Sequence, residues 1–308
     1  MSTEAAGSRP ESQRPNIKLR LPVNPIVDQY NALGAWSHLE QVSQELTPPR
    51  RMIVESLMER PWFQRTSKEL QLELATLPQT GRENHDGFLV DLAGRPDKIG
   101  GVEVIELLKL PKGNFALLPM FKVRNEAETE YTYEYVSWRY GPESGAKGLV
   151  FVENDGQISH FIVLRGDKFA TGKRESDSVG GFMDLNVDGV TNALQRIKRE
   201  LTEELGVPDL TVKNIYDLGE VLPDAGMTNN KPRLFATVID ANQAQRINEQ
   251  PLNPDEYELK AGTVIIPISQ LPEIVATNND AFFLSAVARA AAKGIISFDQ
   301  LRNPSKVN

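Results

Sequence analysis

The segment GGFMDLNVDGVTNALQRIKRELTEELGV, residues 180–207, constrains this fold more than any other stretch of the chain. At helical spacing Ala193, Leu194, Ile197, Leu201 and Leu205 form one apolar stripe, which predicts a helix laid against a core. Gly206 is the expected C-terminal stop, with Pro208 just beyond it. Beside the stripe, Glu200, Glu203 and Glu204 share a sector of roughly 100°. These acids gather near the end of the helix where the macrodipole favours cations. Like charges at i,i+4 add about 0.2–0.5 kcal/mol of repulsion, which Arg196 and Arg199 partly offset. A local rule broken in this way is expected at a functional site.

The surrounding sequence sets the helix in an α+β context. MSTEAAGSRPESQRPN has no apolar signal core, so residues 1–20 read as a disordered tail. Residues 21–97 read as mainly helical, with MIVESLMERPWF and SKELQLELATL at helical spacing and breaks at Pro48-Pro49 and Pro61. Over 98–143 the character changes: GGVEVIELLKL, NFALLPMFKV and EYTYEYVSWRY are strand-like and predict a small antiparallel sheet. The main domain is expected over 144–300, with a short tail at 301–308. It opens on a hairpin turned at Asn154-Asp155-Gly156. After the acidic helix come LTVKNIYDLGEVL, RLFATVID and GTVIIPI as strands, then a final helix with an Asn/Asp cap signal that ends near Gly294.

Composition excludes several chemistries. The 308 residues include no cysteine, which removes disulfides, thiolate zinc sites and cysteine nucleophiles. His38, His85 and His160 are far apart and show no ligand spacing. The net charge of −8 argues against a general nucleic-acid binder. No apolar run approaches the roughly 18 residues of a membrane span, so neither nucleic acid nor membrane is an expected partner, and a cytoplasmic location is the default.

Three clustered carboxylates suit a hard divalent cation such as Mg²⁺ or Mn²⁺, which binds phosphates and activates water. The preceding hairpin and the Gly180-Gly181 loop expected after it, which lets backbone approach a ligand closely, strengthen that reading. At this point Arg199-Glu200-Leu201-Thr202-Glu203-Glu204-Leu205-Gly206-Val207 resembles the second half of the box that defines the Nudix hydrolases. Gly181 stands as the opening glycine. The glycine-to-arginine distance is four residues longer than in the family pattern, and Thr191 stands at its intermediate glutamate position. The surplus reads as an insertion within MDLNVDGV, with Asp184 or Asp188 as candidates for the displaced acid.

Within that superfamily the chain looks most like the ADP-ribose pyrophosphatase branch, since Pro223 follows the box at the branch's usual distance, inside LPDAGMTNN. The resemblance implies an α/β/α sandwich with a mixed sheet, and Mg²⁺- or Mn²⁺-dependent hydrolysis of a small-molecule nucleoside diphosphate derivative. It implies Glu200, Glu203 and Glu204 as metal ligands and Arg199 as the residue orienting them. Glu256 and Glu258, in the acidic loop before the last strand, are implied as catalytic acids. Gly180, Gly181, Pro223 and Gly226 are the candidate substrate-binding backbone, and Arg165, Lys173 and Arg174 could reach phosphates. Glu175 falls one or two residues too early for the branch's glutamate before the glycine pair.

In the same branch the strands before the catalytic domain pair between subunits and help to hold adenine. That implies a homodimer, and it makes Tyr131, Tyr133 and Tyr135 candidates for stacking on a base, with Trp138 on the opposite strand face. A second reading belongs to another class: a nucleotide-binding or regulatory module, with Thr191 and the insertion marking weakened catalysis. A third is a purely structural domain.

Overall fold

The computed structural model describes residues 46–79, 84–183, 192–248, 261–297 and 299. The expected tails, the insertion with Asp184, Asp188 and Thr191, and the acidic loop with Glu256 and Glu258 lie outside the described residues.

The prolines start helices as well as end them. Pro48 and Pro49 open α1, Pro48–Met58, and Pro61 opens α2, Pro61–Arg65, at positions where no amide donor is needed. The Ser67 side chain accepts from Leu70 N at 3.3 Å and caps α3, Lys68–Ala75. Helix α4 spans Asp86–Gly94. Strands β1 (Lys98–Ile99), β2 (Val102–Lys109), β3 (Ala116–Leu117), β4 (Met120–Arg124), β5 (Glu130–Glu134) and β6 (Ser137–Trp138) follow. Two of the strand-like runs are divided by the fold: NFALLPMFKV becomes β3 and β4, and EYTYEYVSWRY becomes β5 and β6. A four-stranded antiparallel sheet runs β1-β2-β4-β5, while β3 and β6 pair separately.

These helices and the four-stranded sheet bury one core. Val54, Leu57, Phe88 and Leu89 pack with Leu107, Phe121 and Val123, and Trp62 meets Phe121 edge-on at 5.3 Å. Gly87 lets α4 touch the segment after β6, because a side chain there would run into the Tyr140 carbonyl. Gly87→Ala is therefore expected to cost about 1–3 kcal/mol, read as a lower urea midpoint with an unchanged slope.

The second unit is a seven-stranded sheet in the order β11-β12-β7-β8-β13, with β10 on β7 and β9 on β8. Its strands are β7 (Gly145–Asn154), β8 (Gln157–Lys168), β9 (Lys173–Asp177), β10 (Val179–Phe182), β11 (Asn214–Glu220), β12 (Arg233–Asp240) and β13 (Ala261–Pro267). The sheet is mixed: β12 runs parallel to β7 and every other pairing is antiparallel. The β7–β8 hairpin turns where Asp155 and Gly156 take φ of 49° and 78°, the conformation that Asp-Gly favours.

Period-two alternation along β7 builds the layers. Val150 and Val152 face α5, Ala193–Leu205, and Leu149 and Phe151 face α8, Ala281–Ala292. Helices α6, Ala241–Asn248, and α7, Leu271–Thr277, complete the two covers. The result is the expected α/β/α sandwich around a mixed sheet. Among the described residues no helix is long and apolar enough to cross a membrane.

The loop after β11 joins the two units. Val136 bridges Thr228, Tyr133 Oη donates to Gly226 O at 2.9 Å, and Asn229 Nδ2 donates to Asp91 Oδ2 at 2.9 Å.

Candidate active site

Helix α5 is fixed at both ends and along one face. The Asn192 side chain accepts from Gln195 N at 3.0 Å, and Gly206 takes the left-handed φ of 70° that ends the helix. Ile197, Leu201 and Leu205 are buried against the sheet, whereas Leu194, counted in the same stripe, is 43% exposed. Its first-turn position leaves it on the rim of a cleft instead of under the sheet.

The three acids separate. Glu200 is only 5% exposed and forms an ion pair with Arg196 one turn earlier. Glu204 Oε2 accepts from Gly180 N at 2.7 Å. Glu203 stays exposed and accepts from Arg199 Nε at 2.6 Å. Arg199 thus holds one of the glutamates implied by the resemblance, while Arg196 holds another. Among the described residues no group of three or more His, Asp or Glu side chains converges closely enough to hold a metal ion.

Gly180 and Gly181 do not form the open loop that the sequence suggests. They lie in β10, paired with Lys147 and Ala146 of β7. Helix α5 fills the space that the missing side chain of Gly181 leaves, and β7 fills the space beside Gly180. A Cβ on Gly181 would lie 2.6 Å from Glu200 Cδ and 2.8 Å from an Arg196 guanidinium nitrogen. Two carboxylates of α5 therefore reach one glycine pair, in a cradle that any side chain would occupy. Such oxygen donors fit a hard divalent cation.

Beneath the pair lies a charged group outside the expected site. Lys147 Nζ donates to Asp177 Oδ1 and Oδ2 at 3.0 and 2.9 Å, and Lys168 Nζ donates to Asp177 Oδ2 at 2.7 Å. Burial works to raise the Asp177 carboxyl, but the two lysines outweigh it and hold the pKa below the usual carboxylate range. The acid buried before the glycine pair is thus Asp177 in place of Glu175. A signal was present in the sequence: a lone lysine interrupts the apolar run GAKGLVFV.

The remaining candidates disperse. Arg165 Nε reaches Ser176 Oγ at 3.4 Å, and Arg174 pairs with Asp167 at 3.5 Å, both on exposed strand ends. Lys173 is likewise exposed. Gly226 N donates to Asp224 Oδ1 at 2.9 Å, and the loop from Pro223 onward turns toward β5. Tyr131 and Tyr133 are about two-fifths exposed on β5, but Tyr135 lies past the strand end, buried and stacked on Phe121. Trp138 instead meets Phe182 at 4.5 Å, and Phe182 stacks on Phe115 at 6.5 Å. At the N-terminal end of α5 a cleft of about 330 Å³ is lined by Gly145, Met183, Asn192, Asp217, Glu220 and Arg233, among others.

No protein-family model matches the chain, and no curated protein matches it. A solved structure described as "Crystal structure of ADP compounds hydrolase" is similar over 65% of this chain and 99% of its own, with 14% identity and a TM-score of 0.47. A likeness at that level carries no argument about activity.

Proposed function

We propose that this chain is a Nudix-type pyrophosphohydrolase that cleaves the diphosphate linkage of a nucleoside diphosphate joined to a second moiety. The observation that supports it best is the approach of Glu200 and Glu204 to Gly180–Gly181 from the helix that carries the box-like sequence. Glu200 and Glu204 would hold Mg²⁺ or Mn²⁺, with Glu203 as the third acid of the box. A bound ion of this kind neutralises charge developing on the diphosphate and lowers the pKa of water.

The chain's own share is positioning and charge. Water adds to one phosphorus, the bridging P–O bond breaks, and two monophosphates form. The proton released passes to a carboxylate, for which Glu256 and Glu258 are the candidates. For Glu200 to take an ion, the Arg196 guanidinium must share or release it, so Arg196 tunes that ligand's charge. The cleft beside Met183 is large enough to take part of the group beyond the diphosphate. We place the nucleobase on half-exposed Phe182, next to Gly181 in the chain, in preference to Tyr131 and Tyr133.

A Mg²⁺-dependent screen of ADP-ribose, nucleotide sugars and dinucleotides, with products identified by mass, tests this reading. Paired monophosphate products support it; intact substrates across the panel refute it. The Arg196–Glu200 ion pair favours one second reading, a ligand-binding module with weakened catalysis. That reading predicts saturable binding of the same compounds without turnover.

We also propose a homodimer through β5, an edge strand whose five residues are all exposed and include Tyr131 and Tyr133. Sedimentation velocity at micromolar concentration is expected to give a dimer, and a monomer alone would contradict it.

A further inference from the structure

Strand β7 carries a lysine in the alternation of Leu149 and Phe151, at a place where the register sets Lys147 opposite Gly180. Its ammonium is clamped by Asp177, whose carboxylate also takes Lys168 and the Ser178 amide. The side chains of Lys147 and Asp177 are 22% and 11% exposed. Burial pushes the Lys147 ammonium down, yet Asp177 outweighs it and the pKa rises, with Glu204 and Asp280 adding to the effect. Both members of the pair stay charged.

A buried ion pair is weak grounds for stability, since well-packed apolar residues often do as well. Position accounts for it better. The Lys147 stem lies along the glycine strand: a Cβ on Gly180 would come within 2.8 Å of Lys147 Cα and 2.9 Å of Lys147 Cδ. The amide of that same Gly180 holds the Glu204 carboxylate at 2.7 Å. One end of Lys147 is thus anchored in the charged group, and its stem borders the residue that orients a proposed metal ligand.

We infer that Lys147 is a positioning residue for the metal-binding carboxylates. Clamped by Asp177, whose carboxylate Lys168 also holds, it fixes the course of β10 at Gly180, so that the Gly180 amide presents Glu204 in a single orientation. The inference rests on the hydrolase reading above and assigns to that site a residue that touches neither ion nor substrate.

The test measures Mn²⁺ binding directly, through the electron paramagnetic resonance of free Mn²⁺, alongside Mg²⁺-dependent turnover. Lys147→Met keeps the stem and removes the charge. It is expected to weaken Mn²⁺ binding by about tenfold or more and to lower kcat by about 10–100-fold. KM at saturating metal should change far less, and Lys147→Arg should recover part of the loss. In the double variant Lys147→Met, Glu204→Gln, the two losses should not add, because both act through one carboxylate. Wild-type Mn²⁺ affinity in a folded Lys147→Met chain would overturn the positioning role alone. A wild-type chain that binds no Mn²⁺ would overturn that role together with the hydrolase reading. Should Lys147→Met fail to fold, Lys168→Met decides, since Lys168 is half-exposed. Weaker Mn²⁺ binding there supports the clamp, and unchanged binding overturns it.

Discussion

Glu204→Gln is expected to lower turnover on a nucleoside diphosphate derivative by about 10²–10³-fold while the fold persists. Loss of a ligand charge forfeits several kcal/mol of transition-state stabilisation, and each 1.4 kcal/mol is about tenfold in rate. Glu204 can be changed without opening the core, because its carboxylate bonds a strand amide at the end of α5 and leaves the apolar stripe untouched. The geometry also ranks the three acids. Glu200 and Glu204 reach the glycine pair, whereas Glu203 is exposed and paired with Arg199. Glu203→Gln should therefore cost less than either of the others. Steady-state kinetics of the three variants, with melting curves to confirm folding, check the ranking; equal losses at all three would contradict it.

Gly181→Ala carries the second large effect. A methyl group there meets the Glu200 carboxylate and the Arg196 guanidinium, and one of them must move. The neighbours are side-chain ends, so the fold should survive with an overpacking cost of about 1–3 kcal/mol. Activity should suffer more: a displacement of about 1 Å at a positioned group can cost on the order of 10²-fold. Gly180→Ala provides the contrast, because its new methyl group would press on the Ala146 carbonyl and the Lys147 Cα, which are backbone and cannot yield. That variant is expected to lose stability first. Comparing kcat with the melting temperature for the two alanines separates a damaged site from a damaged sheet.

Much of the frame was legible in local sequence, because local chemistry builds it. The Asp-Gly hairpin, the Gly206 stop and the Asp280 cap, which accepts from Phe283 N at 2.6 Å, are each decided within a few residues. The mixed sheet follows once an amphipathic α5 must cover it. Less legible were features that depend on distant pairing. Gly180–Gly181 reads as a loop until β7 is known to lie beside it. Lys147 and Asp177 stand 30 residues apart, so their contact has no local signature. Tyr135 alternates with Tyr131 and Tyr133 in sequence, but the chain leaves the strand after Glu134 and buries it. The acidic sector of α5 was visible, whereas the partner of each acid was set by tertiary contacts. Helix α6 has little local signature for a different reason: ANQAQRIN is polar enough to pass for a loop, and Ala244 and Ile247, three apart, mark its buried face.

The central claim is that the glycine pair and the acids of α5 together form a metal-dependent phosphoanhydride hydrolase. Incubation with ADP-ribose in ¹⁸O-labelled water, with and without chelator, tests it most directly. The account predicts two monophosphates, one carrying a single ¹⁸O, formed with Mg²⁺, absent with chelator and restored when Mg²⁺ is added back. The same outcome with a nucleotide sugar or dinucleotide would support the chemistry and relocate the substrate. Saturable binding of these compounds with no labelled product under any of those conditions would contradict it and leave the binding-module reading in its place.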